Sequence, residues 1–398
     1  MKERLMRSVS DIKKIVSKEL GVSKQGDAGL LTSFGGHCLF LFYYAKYFED
    51  NDAEDLAFNS LEKALSNLAR NDFSDSFTFC NGISGFGWLL NHLRRNDFAD
   101  IEESILIKID EILTPQMFRE LNVGNHDYLH GAIGMFLYFI DRLDYNANST
   151  ILKQFISQLD MDKKYFEKGI YWDFYSPVEA TKSIGVANIG LSHGLPAILG
   201  IISKYFLRSG DASAKILIEE LSLFLLSIKN RDSSLSIYPY SFETNTKESS
   251  TSRLGWCYGD LGVALSLIHA GNAIDNVRLK EEAFHIASHA IKRKDLKENG
   301  IVDAGLCHGT AGIAQIFKRI YFDSNDSSFL KASDYWFEKT LPMIQPQKNL
   351  MTGYCKWDSK IGYVNCFGLL EGISGVGLSL LSALSDEPLN WDESLLIS

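Results

Sequence analysis

Two kinds of apolar segment alternate along the chain. Gly82 to Arg95 (GISGFGWLLNHLRR) is apolar on nearly all faces at its start. Phe98 to Leu113 instead sets Ile101, Ile105, Ile109 and Ile112 at helical spacing with acids and lysine between them. The first kind predicts an inner helix covered on all sides, and the second an outer helix with one wet face.

Segments of the first kind open on a small-residue motif, Gly-x-x-Gly. Clear copies start at Gly82, Gly131, Gly259, Gly309 and Gly372. Gly194-Leu-Pro-Ala197 carries alanine in the last slot, and Ser33-Phe-Gly-Gly36 is a degenerate first copy. The steps between the seven starts are 49, 49, 63, 65, 50 and 63 residues, which describe one repeating helix pair with insertions in the longer steps. Small residues at these starts are expected to let neighbouring helices approach closely. The last inner segment (Gly372 to Leu384) has almost no chain after it for an outer partner. Leu5, Val9, Ile12, Val16 and Leu20 form an apolar stripe at three- and four-residue spacing that supplies one. The pattern therefore predicts an all-α fold, a closed α/α toroid of seven inner and seven outer helices whose chain ends meet.

The longer steps hold residues that favour strands and loops: Gly169 to Pro177, Leu235 to Phe242 and Gly353 to Trp357 are rich in aromatics. Insertions at about 161–190, 231–253 and 343–367 are expected to lie over a single 398-residue domain as loops or a small β-rich extension. Long insertions on a rigid scaffold are common places to hold a substrate.

Composition narrows the function. The 398 residues are 45% hydrophobic and 23% charged, which excludes a disordered chain. A net charge of -10 argues against a nucleic-acid partner or an anionic membrane surface and favours a cationic or neutral substrate. Six cysteines are too sparse for a disulfide framework, no secretory signal precedes them, and no apolar run is long enough to span a bilayer. A soluble cytoplasmic protein is expected.

Inner helices that all run the same way bring every residue just ahead of a motif to one end of the ring. That end holds Asp127, His130, His193, Arg253, Cys257, Cys307 and His308. Helix N-termini there favour negative charge, including a thiolate or an enolate. Cys257, Cys307 and His308 form a three-ligand Zn²⁺ set: zinc selects thiolates and imidazole, and three protein ligands with an open fourth position mark a catalytic site. Each residue alone has a bland reading as packing or chance, but their equivalent places in neighbouring repeats favour the shared site. His285 and His289, four apart on a predicted outer helix, have no third ligand nearby and read as a solvated face. Cys38 and Cys80 read as packing residues, and Cys355 and Cys366 as spare thiols or core fillers. Gly-x-x-Gly is no phosphate loop here, since no strand precedes it and no Gly-Lys-Ser/Thr follows.

The strings Leu191-Ser-His-Gly194, Trp256-Cys-Tyr-Gly259 and Leu306-Cys-His-Gly309, in that order on this seven-fold chain, resemble the LanC family of lanthionine synthetases, the cyclases of lantibiotic biosynthesis. The resemblance runs from about Gly29 to the end. It implies that Cys257, Cys307 and His308 bind zinc and that His193 is the acid/base group. It further implies that Asp127 partners that histidine and that Arg253 is a site arginine. His130 departs from the family pattern. The implied reaction adds a peptide cysteine thiol to a dehydroalanine or dehydrobutyrine of the same peptide; whether His193 acts as acid or base stays open. The implied partners are a dehydrated precursor peptide with its leader, a separate dehydratase and an export transporter, an assembly that would hold a soluble enzyme near the membrane.

Rival readings are a protein prenyltransferase β-subunit, which would need an Asp-x-Cys ligand arrangement, a non-catalytic zinc-bearing peptide-binding protein, and a toroid glycosidase, which would need a carboxylate pair.

Overall fold

The computed structural model describes the chain except residues 23–28, 70–75, 145, 231–234, 247–249 and 345–352, so parts of the two later insertions lie outside the described residues. The described residues form fourteen α-helices: α1 (Lys2–Val22), α2 (Phe34–Phe48), α3 (Asn51–Ala69), α4 (Ile83–Arg95), α5 (Glu103–Asn122), α6 (Ala132–Asp141), α7 (Asn146–Asp162), α8 (Leu195–Ser209), α9 (Ala212–Ser227), α10 (Asp260–Ala273), α11 (Val277–Ala290), α12 (Thr310–Ser324), α13 (Ser327–Thr340) and α14 (Ile373–Leu384). Eight three-residue strands accompany them: β1 (Lys164–Phe166), β2 (Gly169–Tyr171), β3 (Phe174–Ser176), β4 (Thr181–Ser183), β5 (Val186–Asn188), β6 (Ser241–Glu243), β7 (Lys356–Asp358) and β8 (Gly362–Val364). They pair antiparallel as β1–β2, β3–β4, β5–β6 and β7–β8.

The chain divides into two compact units. One comprises Met1–Ser76, Cys80–Ile101 and Leu296–Ile397. Within it α2, α4, α12 and α14 are buried almost throughout; α12 buries Gln315 and Arg319 as well, against the carboxylate of Asp392. Helix α14 packs against α1, α2 and α12, while α3 covers α2 and α13 covers α12. Leu5, Val9, Ile12, Val16 and Leu20 of α1 are all buried. The N-terminal helix thus serves as the outer partner of the last inner helix, as its stripe predicts.

The second unit comprises Phe77–Phe79 and Glu102–Asp295, joined by Ser398. Here α6, α8 and α10 form the inner row, with α5 and α7 against α6, α9 on α8 and α11 on α10. Two of the outer helices, α9 and α11, begin on side-chain caps: Asp211 accepts from the Ser213 N–H at 2.9 Å, and Asn276 from those of Arg278 and Leu279 at 3.1 and 3.3 Å. One stripe differs from its sequence reading. Helix α5 starts at Glu103, after Ile101, and buries Leu106, Ile109, Leu113, Met117 and Leu121, while Ile112 is 41% exposed. Two apolar registers cross at Ile109, and the one that continues through Met117 and Leu121 supplies an apolar face for the whole helix.

Candidate functional site

Every inner helix but the first takes the leading motif glycine as its N-cap, without a side-chain capping bond. The reason lies in the loop ahead of it, which folds back over the helix start. A methyl placed on Gly194 would sit 2.1 Å from the Asn188 carbonyl oxygen, and one on Gly312 would sit 1.9 Å from that of Leu306. The close approach expected of the motif is therefore made chiefly to the chain's own upstream backbone, and only secondarily to a neighbouring repeat, as where Gly262 faces Leu191. Gly259 adds a positive φ of 99°, which L residues adopt only with strain.

A second element recurs six residues ahead of the motif. Asn125, Asn188 and Asp303 each accept, through Oδ1, the backbone N–H two residues on: Asp127 at 3.3 Å, Gly190 at 2.8 Å and Gly305 at 3.0 Å. Arg253 occupies the same slot ahead of Gly259. These turns position the chemistry-bearing side chains.

In the second unit, His193 Nδ1 lies 2.7 Å from Asp127 Oδ2, while Asp127 Oδ1 accepts the His130 N–H at 2.8 Å. Asp127 is buried. Burial pushes the His193 pKa down, but the hydrogen bond and charge of Asp127, with the charge of Cys257, outweigh it and leave the imidazole above its ordinary 6.5. His130 stacks on His193 at 5.9 Å between centroids, and burial holds its own pKa below the ordinary value. A small recess opens beside the pair, lined by Trp172, Phe174, Tyr175 and Asn188 among others.

The loop carrying His193 is tied to the loop carrying Cys257. Ser192 donates to the Cys257 carbonyl through both N–H (3.3 Å) and Oγ (3.2 Å), and Gly190 bridges Tyr258. Arg253 donates through Nε to the Tyr240 hydroxyl at 3.1 Å, and Asn188 donates to the Tyr258 hydroxyl at 3.1 Å.

In the first unit, Leu306 and Cys307 both donate their N–H to the Leu370 carbonyl, at 2.9 and 3.0 Å. Asp303 secures the same loop to the insertion, since its Oδ2 accepts the Trp357 N–H at 2.9 Å. One ligand atom from each of Cys257, Cys307 and His308 lies within 4.8 Å of the other two, the single such group of metal-type donors among the described residues. His285 and His289 join no such group; the first is 73% exposed, and Nδ1 of the second lies 3.7 Å from Asp260 Oδ2.

Sequence reasoning missed Ser192, Asn188, Asp303 and Tyr240. The six-residue offset shared by Asn125, Asn188 and Asp303 was a readable signal for the turns. Tyr240 had only its place in an aromatic insertion.

Inner and outer helices in alternation define an α/α-toroid fold, and the Cys–Cys–His donors give it the makings of a metal site. The chain belongs to the lanthionine synthetase C-like protein family, whose pattern matches residues 25–396, and is a cyclase of the lanthionine synthetase class. It is similar to the nisin biosynthesis protein NisC of Lactococcus lactis subsp. lactis, with 25% identity over 324 residues, covering 75% of this chain and 72% of that protein. A solved nisin cyclase matches 100% of this chain and 98% of its own at a TM-score of 0.79 and 19% identity, which shows a common fold. No described helix is long and apolar enough to cross a membrane.

Proposed function

We propose that this protein closes thioether rings by adding a cysteine thiol of a peptide to the β-carbon of a dehydroalanine or dehydrobutyrine in the same peptide, with Zn²⁺ held by Cys257, Cys307 and His308. The observation that carries the reading is the gathering of those three ligand atoms within 4.8 Å of one another. Two thiolates and an imidazole are donors that zinc selects, so Cys257, Cys307 and His308 would hold one ion and leave a coordination position for a peptide thiol. When bound, the metal supplies acidification of the peptide thiol, which is then held as thiolate near neutral pH.

The remaining work falls to the chain's own side chains. Overall, one proton moves from the thiol sulfur to the α-carbon of the dehydro residue as the carbon–sulfur bond forms. With Nδ1 engaged by Asp127, Nε2 of His193 carries that proton. The raised His193 pKa shifts the balance toward the protonated imidazole, which suits delivery to the α-carbon. Arg253 supplies positive charge to the enolate oxygen that develops. The substrate on this reading is a dehydrated precursor peptide with its leader. A separate dehydratase and an export transporter complete a cytoplasmic assembly, and the net charge of -10 suits a cationic peptide.

Purified protein with a dehydrated peptide tests this: free thiol should disappear with no change of peptide mass. His193→Ala should keep its zinc and fail to close rings. Full ring closure by that variant would refute the role of His193, and unchanged thiol with the native protein would leave a peptide binder.

A further inference from the structure

We infer that Tyr240 is a positioning residue for Arg253: its hydroxyl fixes the plane of the guanidinium that faces the developing enolate. The inference rests on the role proposed for Arg253. Tyr240 lies at the foot of β6, in the aromatic insertion that the ring-closing chemistry leaves unassigned. Three interactions hold it. Its carbonyl accepts the Ile189 N–H at 3.0 Å, next to the β5–β6 pairing in which Asn188 faces Ser241. Its ring meets that of Tyr258 edge-on at 5.1 Å and 62°. Its hydroxyl accepts from Arg253 Nε at 3.1 Å.

The geometry has a chemical consequence. At the equivalent slot of three other junctions, Asn125, Asn188 and Asp303 lock their own turns by accepting a backbone N–H. Arginine has no acceptor and cannot do so. A long, rotamer-rich side chain in that slot needs an outside anchor, and the insertion provides one in the Tyr240 hydroxyl. A guanidinium is planar, so a bond at Nε sets the direction of the whole fork. The same insertion strand is paired to the strand that leads into the His193 loop. Tyr240 therefore sets the arginine relative to the histidine, and a misplacement of about 1 Å in such a pair costs on the order of 100-fold in rate.

The test is a double-mutant cycle on the full-length, zinc-loaded protein with a dehydrated peptide: Y240F, R253A and the pair, each with kcat, KM, zinc content and melting temperature. Phenylalanine keeps the ring against Tyr258 and removes only the hydroxyl. Y240F should lower kcat by about 10- to 100-fold with KM within about three-fold, at native zinc content and native melting temperature. In the R253A background the same change should have no further effect, because the arginine it orients is gone. Wild-type kcat in Y240F with a slow R253A would overturn the inference alone. Effects of the two changes that multiply would also overturn it, since Tyr240 would then act on its own. Loss of the native melt in Y240F would do the same by making the hydroxyl a fold anchor. Wild-type kcat in R253A would remove the role of Arg253 itself, and the inference with it.

Discussion

His193 Nδ1 and Asp127 Oδ2 stand 2.7 Å apart, although 66 residues separate them in sequence, and the same carboxylate closes its own turn on the His130 N–H. One buried side chain thus sets the ring orientation of His193 and the conformation of the loop behind it. Burial works against the charged imidazole, and Asp127, with a contribution from Cys257, more than offsets it.

Asp127→Asn should therefore lower the His193 pKa. The stability this pair contributes is present in full below about 6.5, the unfolded value, and is lost as pH climbs through the raised folded value. The stability gap between native protein and variant should be widest just below pH 6.5 and should narrow above the folded pKa. Proton NMR titration of the imidazole, with chemical denaturation at several pH values, measures both. An unchanged midpoint would show that Asp127 orients the ring without charging it.

Helix α1 is held chiefly by its apolar stripe, with ion pairs from Arg4 to Glu338 and from Lys13 to Asp50 at its edges, and α14 comes so close that a methyl on Gly377 would lie 3.1 Å from Ile12 Cγ2. Ile12→Ala should cost about 2–5 kcal/mol, because the buried side chain leaves a cavity that two rigid helices cannot collapse. Met6, 41% exposed on the same helix, should tolerate alanine within about 0.5 kcal/mol. Urea denaturation of both variants checks the pair; equal losses would contradict the outer-helix role of α1.

The repeat was legible because every inner helix but the first announces its start with glycine and is apolar on nearly all faces there, as at Gly82, Gly309 and Gly372. The stripe of α1 was legible for the same kind of reason, as a periodicity that nothing else in the segment competes with. The α5 stripe was not, since two registers share Ile109 and only packing selects between them. Among site residues, those inside the short strings before a motif could be picked out, because repetition puts them at equivalent junctions. Tyr240 could not, because its bond to Arg253 depends on β6 pairing with β5 across an insertion whose register no local pattern specifies.

Gly312 offers a sharp test of why the motif is glycine. A methyl there would meet the Leu306 carbonyl at 1.9 Å, and that carbonyl belongs to the residue just before Cys307. Gly312→Ala should lose about 1–3 kcal/mol and displace the Cys307 loop, so both the melting temperature and the metal content should fall. Gly21, with nothing within 4 Å of an added methyl, serves as the contrast: alanine there should be neutral or stabilising by up to about 1 kcal/mol. A Gly312→Ala protein with native zinc and native melting would mean that the loop yields without consequence.

Metal content decides the donor set directly. Cys307 is held by its backbone bond to the Leu370 carbonyl, which does not depend on the thiol, so Cys307→Ala should fold with its loop intact. Removing one thiolate of three ligands should take the protein from about one zinc per chain to well below that, and the loss should be steeper below neutral pH, where protons compete for the remaining thiolate and imidazole. His308→Ala should do the same, whereas Cys366→Ala, outside the group of three, should keep its zinc. Elemental analysis of the four proteins after dialysis against a weak chelator gives the answer. Full zinc in Cys307→Ala, or loss of zinc in Cys366→Ala, would move the ion elsewhere and remove the fourth position on which the peptide sulfur depends.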